Sequence, residues 1–166
     1  MATAKTLNDL FLDTLKDIYY AEKQILRALP KMARAAQSED GKEGFLKHRD
    51  ETQGQIERLE QVFEIIGKPA RGKTCEAIQG IIAEANEIIE EFDGSIALDA
   101  GLISSAQAVE HYEIARYGTL IAWAKQLGHK QAVTLLQQNL AEEEATDKKL
   151  TELALSAANA KGTKAA

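Results

Sequence analysis

Clusters of helix-breaking residues are few and short along this 166-residue chain, which contains just two prolines. The clusters lie at 38–41, 67–72, 93–95 and Gly128. Residues of high helix propensity fill the intervals between them, so each interval predicts a helix. The predicted helices cover 7–36, 42–66, 74–91, 96–127 and 130–158, and a frayed tail is expected at 159–166.

The relative lengths of these helices predict the architecture. Four are long, and the third is short. This order predicts an all-α four-helix bundle with the short helix in an extended middle crossover. Such a crossover makes the fourth helix run parallel to the second. The chain length suits one domain, so we expect residues 1–166 to form a single domain.

Charge and cysteine content argue against several classes of partner. The net charge is −6, whereas a nucleic-acid-binding surface is basic, and an acidic surface also disfavours anionic membranes. The sequence shows neither the apolar core of a signal peptide nor an apolar segment long enough to span a bilayer. The single cysteine, Cys75, cannot form an internal disulfide. We therefore expect a cytoplasmic protein without nucleic-acid or membrane partners.

Acidic residues interrupt the apolar stripe near the middle of every long helix. The stripes follow the three- and four-residue spacing of a helix face that is buried in a core. The interrupting acids are Glu22, Glu51, Glu110, Glu113, Glu143 and Asp147. Because the midpoints of similar helices lie at one height in a bundle, we expect these carboxylates to meet at mid-depth.

Three positions in this pattern leave alternatives open. In the second helix, Glu51 and Thr52 both fit the inward step. In the fifth helix, Glu144 competes with Glu143, although the spacing favours Glu143. His48 lies one turn before Glu51 and is a candidate nitrogen ligand, with a position behind the ligands or at the surface as the alternative.

Six converging carboxylates require compensating charge. Moving one ionised carboxylate out of water costs several kcal/mol, and neighbouring carboxylates raise each other's pKa. Bound protons, basic side chains and metal ions can each compensate. One such acid alone is usually a solvated residue, but the coincidence in four helices favours metal. Two cations would balance much of the charge, and oxygen ligands suit Mn, Fe, Mg or Ca.

Several segments of the chain match the motifs of a known family. They lie at 20–24, 51–58, 85–90, 109–115 and 142–151, and the most specific is the string from Glu110 to Glu113. Together they resemble the YciF-like bacterial stress-protein family of the ferritin-like superfamily. The resemblance implies a ferritin-like bundle that holds two metal ions per chain, Fe or Mn, in a dinuclear carboxylate site.

The sequence departs from the usual ligand pattern of that superfamily. The pattern is one Glu on each of two helices and Glu-x-x-His on the other two. Here Gly54 and Thr146 stand at the expected histidine positions. The pair Glu110 and Glu113 looks like the paired glutamates of rubrerythrin-type sites. The departure leaves a site that is richer in oxygen ligands.

Two classes of function follow from these observations. The first is a stress-associated metalloprotein, for which the resemblance implies redox chemistry with a small oxidant, either peroxide or O₂. The second is a non-enzymatic helical dimer with a structural or interaction role, in which the metals are structural or the acids are paired with protons and arginines. The resemblance implies a homodimer rather than a closed storage cage. The sequence does not decide whether the protein is an enzyme.

Overall fold

The computed structural model describes residues 3–163, and no strand occurs within this range. Its helices are α1 (Leu7–Ala35), α2 (Glu39–Ile65), α3 (Glu76–Glu91), α4 (Leu98–Leu127) and α5 (Lys130–Leu153), followed by a π-helical turn (Ala154–Ala158) and α6 (Asn159–Lys161). The predicted all-α bundle with a short helix in the middle crossover is therefore confirmed.

The four long helices form the bundle, and α3 lies against its outside. Helices α1 and α5 each pack on both α2 and α4, whereas α3 packs across α1 and α4. The carboxylate of Asp99, at the start of α4, accepts hydrogen bonds from the backbone N–H groups of Gln37 and Ser38 at 2.7 and 2.9 Å. Helix α4 therefore begins where α1 ends and runs back along it, parallel to α2.

Side-chain caps explain where two helices begin. Ser38 Oγ accepts the backbone N–H of Gly41 at 3.0 Å, and two acidic residues in the first turn complement the helix dipole. Helix α2 therefore begins at Glu39 rather than at residue 42, because most of the breaker cluster at 38–41 forms the first turn of the helix. Cys75 Sγ accepts the N–H of Ile78 at 3.4 Å, so α3 begins after Cys75 rather than at residue 74.

The C-terminal segment differs from the sequence-based expectation. Regular α-helix ends at Leu153 instead of residue 158, and the chain continues as the π-helical turn and α6. Ala158 is buried, and Gly162 lies close to the backbone of Ala97 at the start of α4. The first part of the expected frayed tail thus contains a short helix, Asn159–Lys161, that lies near the start of α4. Residues 164–166 lie outside the described range.

Apolar layers fill the bundle on both sides of its middle. One layer contains Phe11, Leu15, Leu59, Val62, Leu120 and Leu136, and the other contains Leu29, Met32, Phe45, Leu102 and Leu150. Each layer takes residues from all four long helices, which buries their stripes against one another. The two layers leave a central level of the bundle to polar side chains.

Helices α1, α2 and α5 carry an apolar face and a charged face, whereas α4 packs against α1, α3 and α5 and buries residues around more of its surface. Among residues 3–163, no helix combines the length and the apolar character that crossing a membrane requires.

Candidate metal centre

A layer of buried polar side chains crosses the middle of the bundle. It contains Glu22 from α1, His48 from α2, Glu110 and Glu113 from α4, and Glu143 from α5, each at most 4% exposed. One potential ligand atom from each of the last four residues lies within 4.8 Å of the other three. Glu22 is close enough to Glu113 for each carboxylate to affect the other's pKa. We call these five residues the polar layer.

Most carboxylate oxygens of the polar layer lack a hydrogen-bond partner among residues 3–163. Both oxygens of Glu110, Glu113 and Glu143 are buried without a hydrogen-bond partner among residues 3–163, as is Oε2 of Glu22. An unpaired buried carboxylate is costly, so native proteins normally supply it with donors or cations. This donor set fits a metal ion with oxygen ligands better than it fits a hydrogen-bonded structural cluster.

The contact between His48 and Glu110 is an ion pair when His48 is protonated, and it is also compatible with two ligands that share an ion. His48 Nε2 lies 2.7 Å from Glu110 Oε1, yet the two atoms are not aligned as a hydrogen bond. Adjacent ligands of an octahedral ion lie about 3 Å apart, with their lone pairs aimed at the ion rather than at each other. The structure therefore places His48 among the candidate ligands.

Glu51 lies behind His48 rather than within the polar layer. Its Oε2 is 3.7 Å from His48 Nδ1 and accepts a hydrogen bond from Thr146 Oγ1 at 3.3 Å. The inward position of α2 is taken by the fully buried Thr52, because the buried face steps by four residues from His48. Glu51 is thus not among the residues that the structure brings together in the polar layer; its carboxylate lies on the outer side of the His48 ring, where carboxylates commonly support a metal-bound histidine.

Asp147 also lies outside the polar layer. Its two oxygens face His111 Nε2 at 3.1 Å and Gln107 Nε2 at 3.3 Å. Asp147 is one turn beyond Glu143, about 6 Å along the helix axis, and its short side chain meets the flank of α4 instead. This corrects the expectation that Asp147 joins the cluster. The structure also decides which of two neighbouring glutamates of α5 faces the core, because Glu143 is buried and Glu144 is exposed.

Burial and close neighbours shift the pKa values of the polar layer. Burial raises the pKa of Glu22 to about 7. Burial, followed by neighbouring carboxylates, raises the pKa of Glu113 and Glu143 well above the usual range. Burial by itself lowers the pKa of His48, but Glu110 and Glu51 raise it to about 10. Without a metal ion the layer therefore retains protons that a metal must displace.

A hydrogen-bonded chain runs from the polar layer to the surface. Tyr117 donates its hydroxyl proton to Glu22 Oε1 at 2.6 Å, and Asn139 Nδ2 lies 3.2 Å from the same hydroxyl. Asn139 Oδ1 accepts from Arg58 Nη1 at 3.0 Å, and Arg58 also pairs with Glu142. The chain holds one oxygen of Glu22 in place and leaves the other without a partner.

Two functional candidates in this region had weak sequence signals. The spacing of the acids does not single out Asn139, although it lies one turn before Glu143 on the same buried face and is fully buried. Gln55, on the buried face of α2, is also fully buried, and its side-chain amide has no hydrogen-bond partner among residues 3–163. Side-chain amides that interrupt an apolar stripe, like the acids, therefore indicate the polar level of the bundle.

A polar groove between α2 and α5 connects solvent with the polar layer. It has a volume of about 650 Å³ and reaches His48 and Glu51. Its charged lining residues are Asp40, Glu43, Lys47, Glu51, Lys149 and Glu152. Acidic residues outnumber lysines in this lining, so the groove attracts cations and offers them a hydrated path toward His48.

Comparisons with known proteins agree with this fold. A family model described as "Domain of unknown function (DUF892)" matches residues 6–163. The chain is 49% identical over 158 residues to Protein YciF of Escherichia coli (strain K12), covering 95% of each sequence.

Solved structures give the same result. The crystal structure of the E. coli stress protein YciF matches with 49% identity and a TM-score of 0.89, covering 94% of this chain and 99% of that one. YcfI from Rhodopseudomonas palustris matches with 53% identity and a TM-score of 0.87, covering 89% and 94%. A protein from Xanthomonas campestris pv. campestris, at 20% identity and a TM-score of 0.72 over 93% and 95%, shares the fold.

Proposed function

The chain belongs to the family described as domain of unknown function DUF892, and on that premise we propose that it is a ferritin-like metalloprotein with two metal ions per chain. One observation carries the proposal: the buried carboxylates around His48 have no hydrogen-bond donors among residues 3–163. The proposed ligands are Glu22, His48, Glu110, Glu113 and Glu143.

Charge balance supports two divalent ions. The polar layer contains four carboxylates, which carry a formal charge of −4 when ionised, and two divalent ions supply +4. A neutral His48 then adds a nitrogen ligand without adding charge. A set of carboxylates with one imidazole suits Fe or Mn, which we propose as the resident metals. When bound, such metals supply one-electron chemistry toward a small oxidant, either peroxide or O₂.

The surrounding residues orient the proposed ligands. Tyr117 holds one oxygen of Glu22, so the other oxygen keeps a defined direction. Glu51 faces the outer nitrogen of His48 and thereby favours the tautomer whose inner nitrogen is free to bind. The apolar layers above and below exclude water, which strengthens electrostatic interactions at the centre.

The biological setting is proposed from the relatives. One similar solved structure is described as an E. coli stress protein, and by analogy we propose a role in a stress response. We also propose a cytoplasmic location and a homodimer, because ferritin-like bundles pair through long helix faces. Measurement of the native mass tests the dimer, and a mass of one chain would contradict it.

Elemental mass spectrometry of the untagged protein tests the metal proposal. We expect about two Fe or Mn ions per chain, as in other dinuclear carboxylate bundles, and loss of bound metal in the double variant Glu113→Gln/Glu143→Gln. Glu144→Gln is the matched control, because this neighbouring glutamate is exposed and should keep full stoichiometry.

The opposite result would favour the second class of function. If neither wild type nor variants retain metal after anaerobic loading with Fe and Mn, the acids form a cluster that is held by protons. The protein is then better described as a helical structural or interaction dimer without redox turnover. Circular dichroism of each variant ensures that metal loss does not reflect unfolding.

A further inference from the structure

A separate cavity approaches the polar layer between α1, α3 and α4. Its inner end is formed by His48 and Glu110, the same pair that lies 2.7 Å apart in the candidate metal centre. Its walls between the two ends are apolar and include Ile25, Leu29 and Val109. The polar groove between α2 and α5 also reaches His48, so this residue is approached by one polar space and one apolar space.

The size and chemistry of the cavity favour a small neutral occupant. Its volume is about 30 Å³. A single water needs roughly 10–15 Å³ of such space together with two to four polar partners. The cavity offers few such partners, because apolar side chains such as Ile25, Leu29, Met32 and Ile82 form most of its wall. Among residues 3–163, Ser105 is the one further polar lining residue beside His48, Glu110 and Asn86. Empty apolar cavities of this kind stay dry and bind gases.

The outer end of the cavity lies at the seam between α1 and α3. Ala28, Ile82 and Asn86 line this end and are only partly buried. The exposed Lys31 Nζ donates to Asn86 Oδ1 across the seam at 2.8 Å. Helix α3 buries only two of its residues, so it is less firmly held than the bundle helices. Local opening along this seam would therefore connect the cavity with solvent.

We propose that this cavity binds a neutral diatomic gas, dioxygen, and holds it beside His48 and Glu110. Ions cannot follow this path, because an apolar passage offers nothing to replace their hydration shell. Cations and gas therefore reach the polar layer by different paths, with the gas passing beneath α3. The use of the gas as a reactant rests on the proposed metal centre, but its binding does not. Binding is therefore measured on the metal-free protein, and the two proposals can fail separately.

Xenon is the first probe of this site. We expect crystals of the metal-free full chain, pressurised with xenon, to show one xenon atom between Ile25, Ile82 and Val109. A cavity that is filled instead by an ordered water, or one that stays empty under xenon, would overturn the proposal.

Dissolved dioxygen then tests the proposed occupant directly in solution. Its paramagnetism should broaden the methyl NMR signals of Ile25, Ile82 and Val109 more than those of the apolar layers. Ala85→Leu fills the cavity from α3 and should abolish this extra broadening. Ala83→Leu is the matched control on the exposed face of the same helix and should retain it. Ala85→Val is the milder filling variant if leucine disturbs α3.

A uniform effect of dioxygen on all methyl groups would rule the site out, as would equal broadening in Ala85→Leu and Ala83→Leu. Neither result would bear on metal stoichiometry, which is measured separately with the variants of Glu113 and Glu143.

Discussion

Tyr117 donates its hydroxyl proton to Glu22 across the interface of α1 and α4, at a distance of 2.6 Å between the two oxygens. Both side chains are fully buried. The bond satisfies Glu22 Oε1 and leaves Oε2 without a partner, so the carboxylate is oriented but still able to bind a cation. A variant without this hydroxyl group therefore tests the orientation of Glu22 while Glu22 itself remains available as a ligand.

Tyr117→Phe should weaken metal binding without removing a ligand. Loss of a residue that orients a ligand typically lowers metal affinity by about 10- to 100-fold. The metal-free variant should also lose about 1–3 kcal/mol in free energy of unfolding, because Asn139 and Glu22 lose a buried partner. Chelator competition and urea denaturation measure the two effects.

Tyr20→Phe is the control for this prediction. The Tyr20 hydroxyl accepts a hydrogen bond from Gln79 at the surface, away from the polar layer. Tyr20→Phe should change neither the metal affinity nor the free energy of unfolding appreciably. Unchanged metal affinity in Tyr117→Phe would show that the hydroxyl does not orient Glu22 for binding.

Glu51→Gln should preserve metal stoichiometry and reduce affinity. Glu51 faces the outer nitrogen of His48, so its neutralisation leaves every proposed ligand in place but weakens the hold on the ring. We expect an affinity loss of about 10- to 100-fold, with the same number of ions bound at saturation. Asp147→Asn should alter neither stoichiometry nor affinity, because Asp147 faces His111 and Gln107. Loss of an ion in Glu51→Gln would make Glu51 a ligand after all.

The stability of the metal-free protein should fall as pH rises. The pKa of Glu22 is raised from 4.5 to about 7, and that of His48 from 6.5 to about 10. The folded state therefore binds more protons than the unfolded state across this window. The stabilisation by these groups is complete below their unfolded pKa values and is lost as pH passes 7 for Glu22 and 10 for His48.

Urea denaturation at about pH 5.5, 7 and 8.5 measures this dependence. The double variant Glu113→Gln/Glu143→Gln should show a shallower slope, because both of these carboxyl groups also have raised pKa values in the folded state. A free energy of unfolding that rises with pH over this interval in the wild type would contradict the prediction.

Glu143→Leu should stabilise the metal-free protein. Replacement of a buried ion pair by apolar side chains of similar volume is often neutral or stabilising by about 1–4 kcal/mol, and a buried carboxyl group without donors is likewise costly in either protonation state. Here the carboxylate has no donors among residues 3–163, so its removal should raise the melting temperature while lowering the bound metal. Glu144→Leu, at the exposed neighbouring position, should have little effect on either. A large loss of stability in Glu143→Leu would mean that this carboxylate has a structural partner.

Helical periodicity alone identifies most of the polar layer. Glu22, Glu110, Glu113 and Glu143 interrupt long apolar stripes, and a stripe points inward wherever its helix joins a bundle. Periodicity is less decisive at Glu51, because steps of three and four residues fall on opposite sides of the stripe centre. The structure turns Thr52 inward and leaves Glu51 at the edge of the stripe.

The sequence by itself determined the helical segments, the crossover and the level at which acids meet, because these depend on local propensity and on spacing along one helix. Only the tertiary structure decided that Asp147 turns toward His111, and that His48 lies between Glu51 and Glu110. It also decided the positions of the polar groove and the apolar cavity. These features depend on the rotation and separation of neighbouring helices, which are set by the packing of all their side chains together.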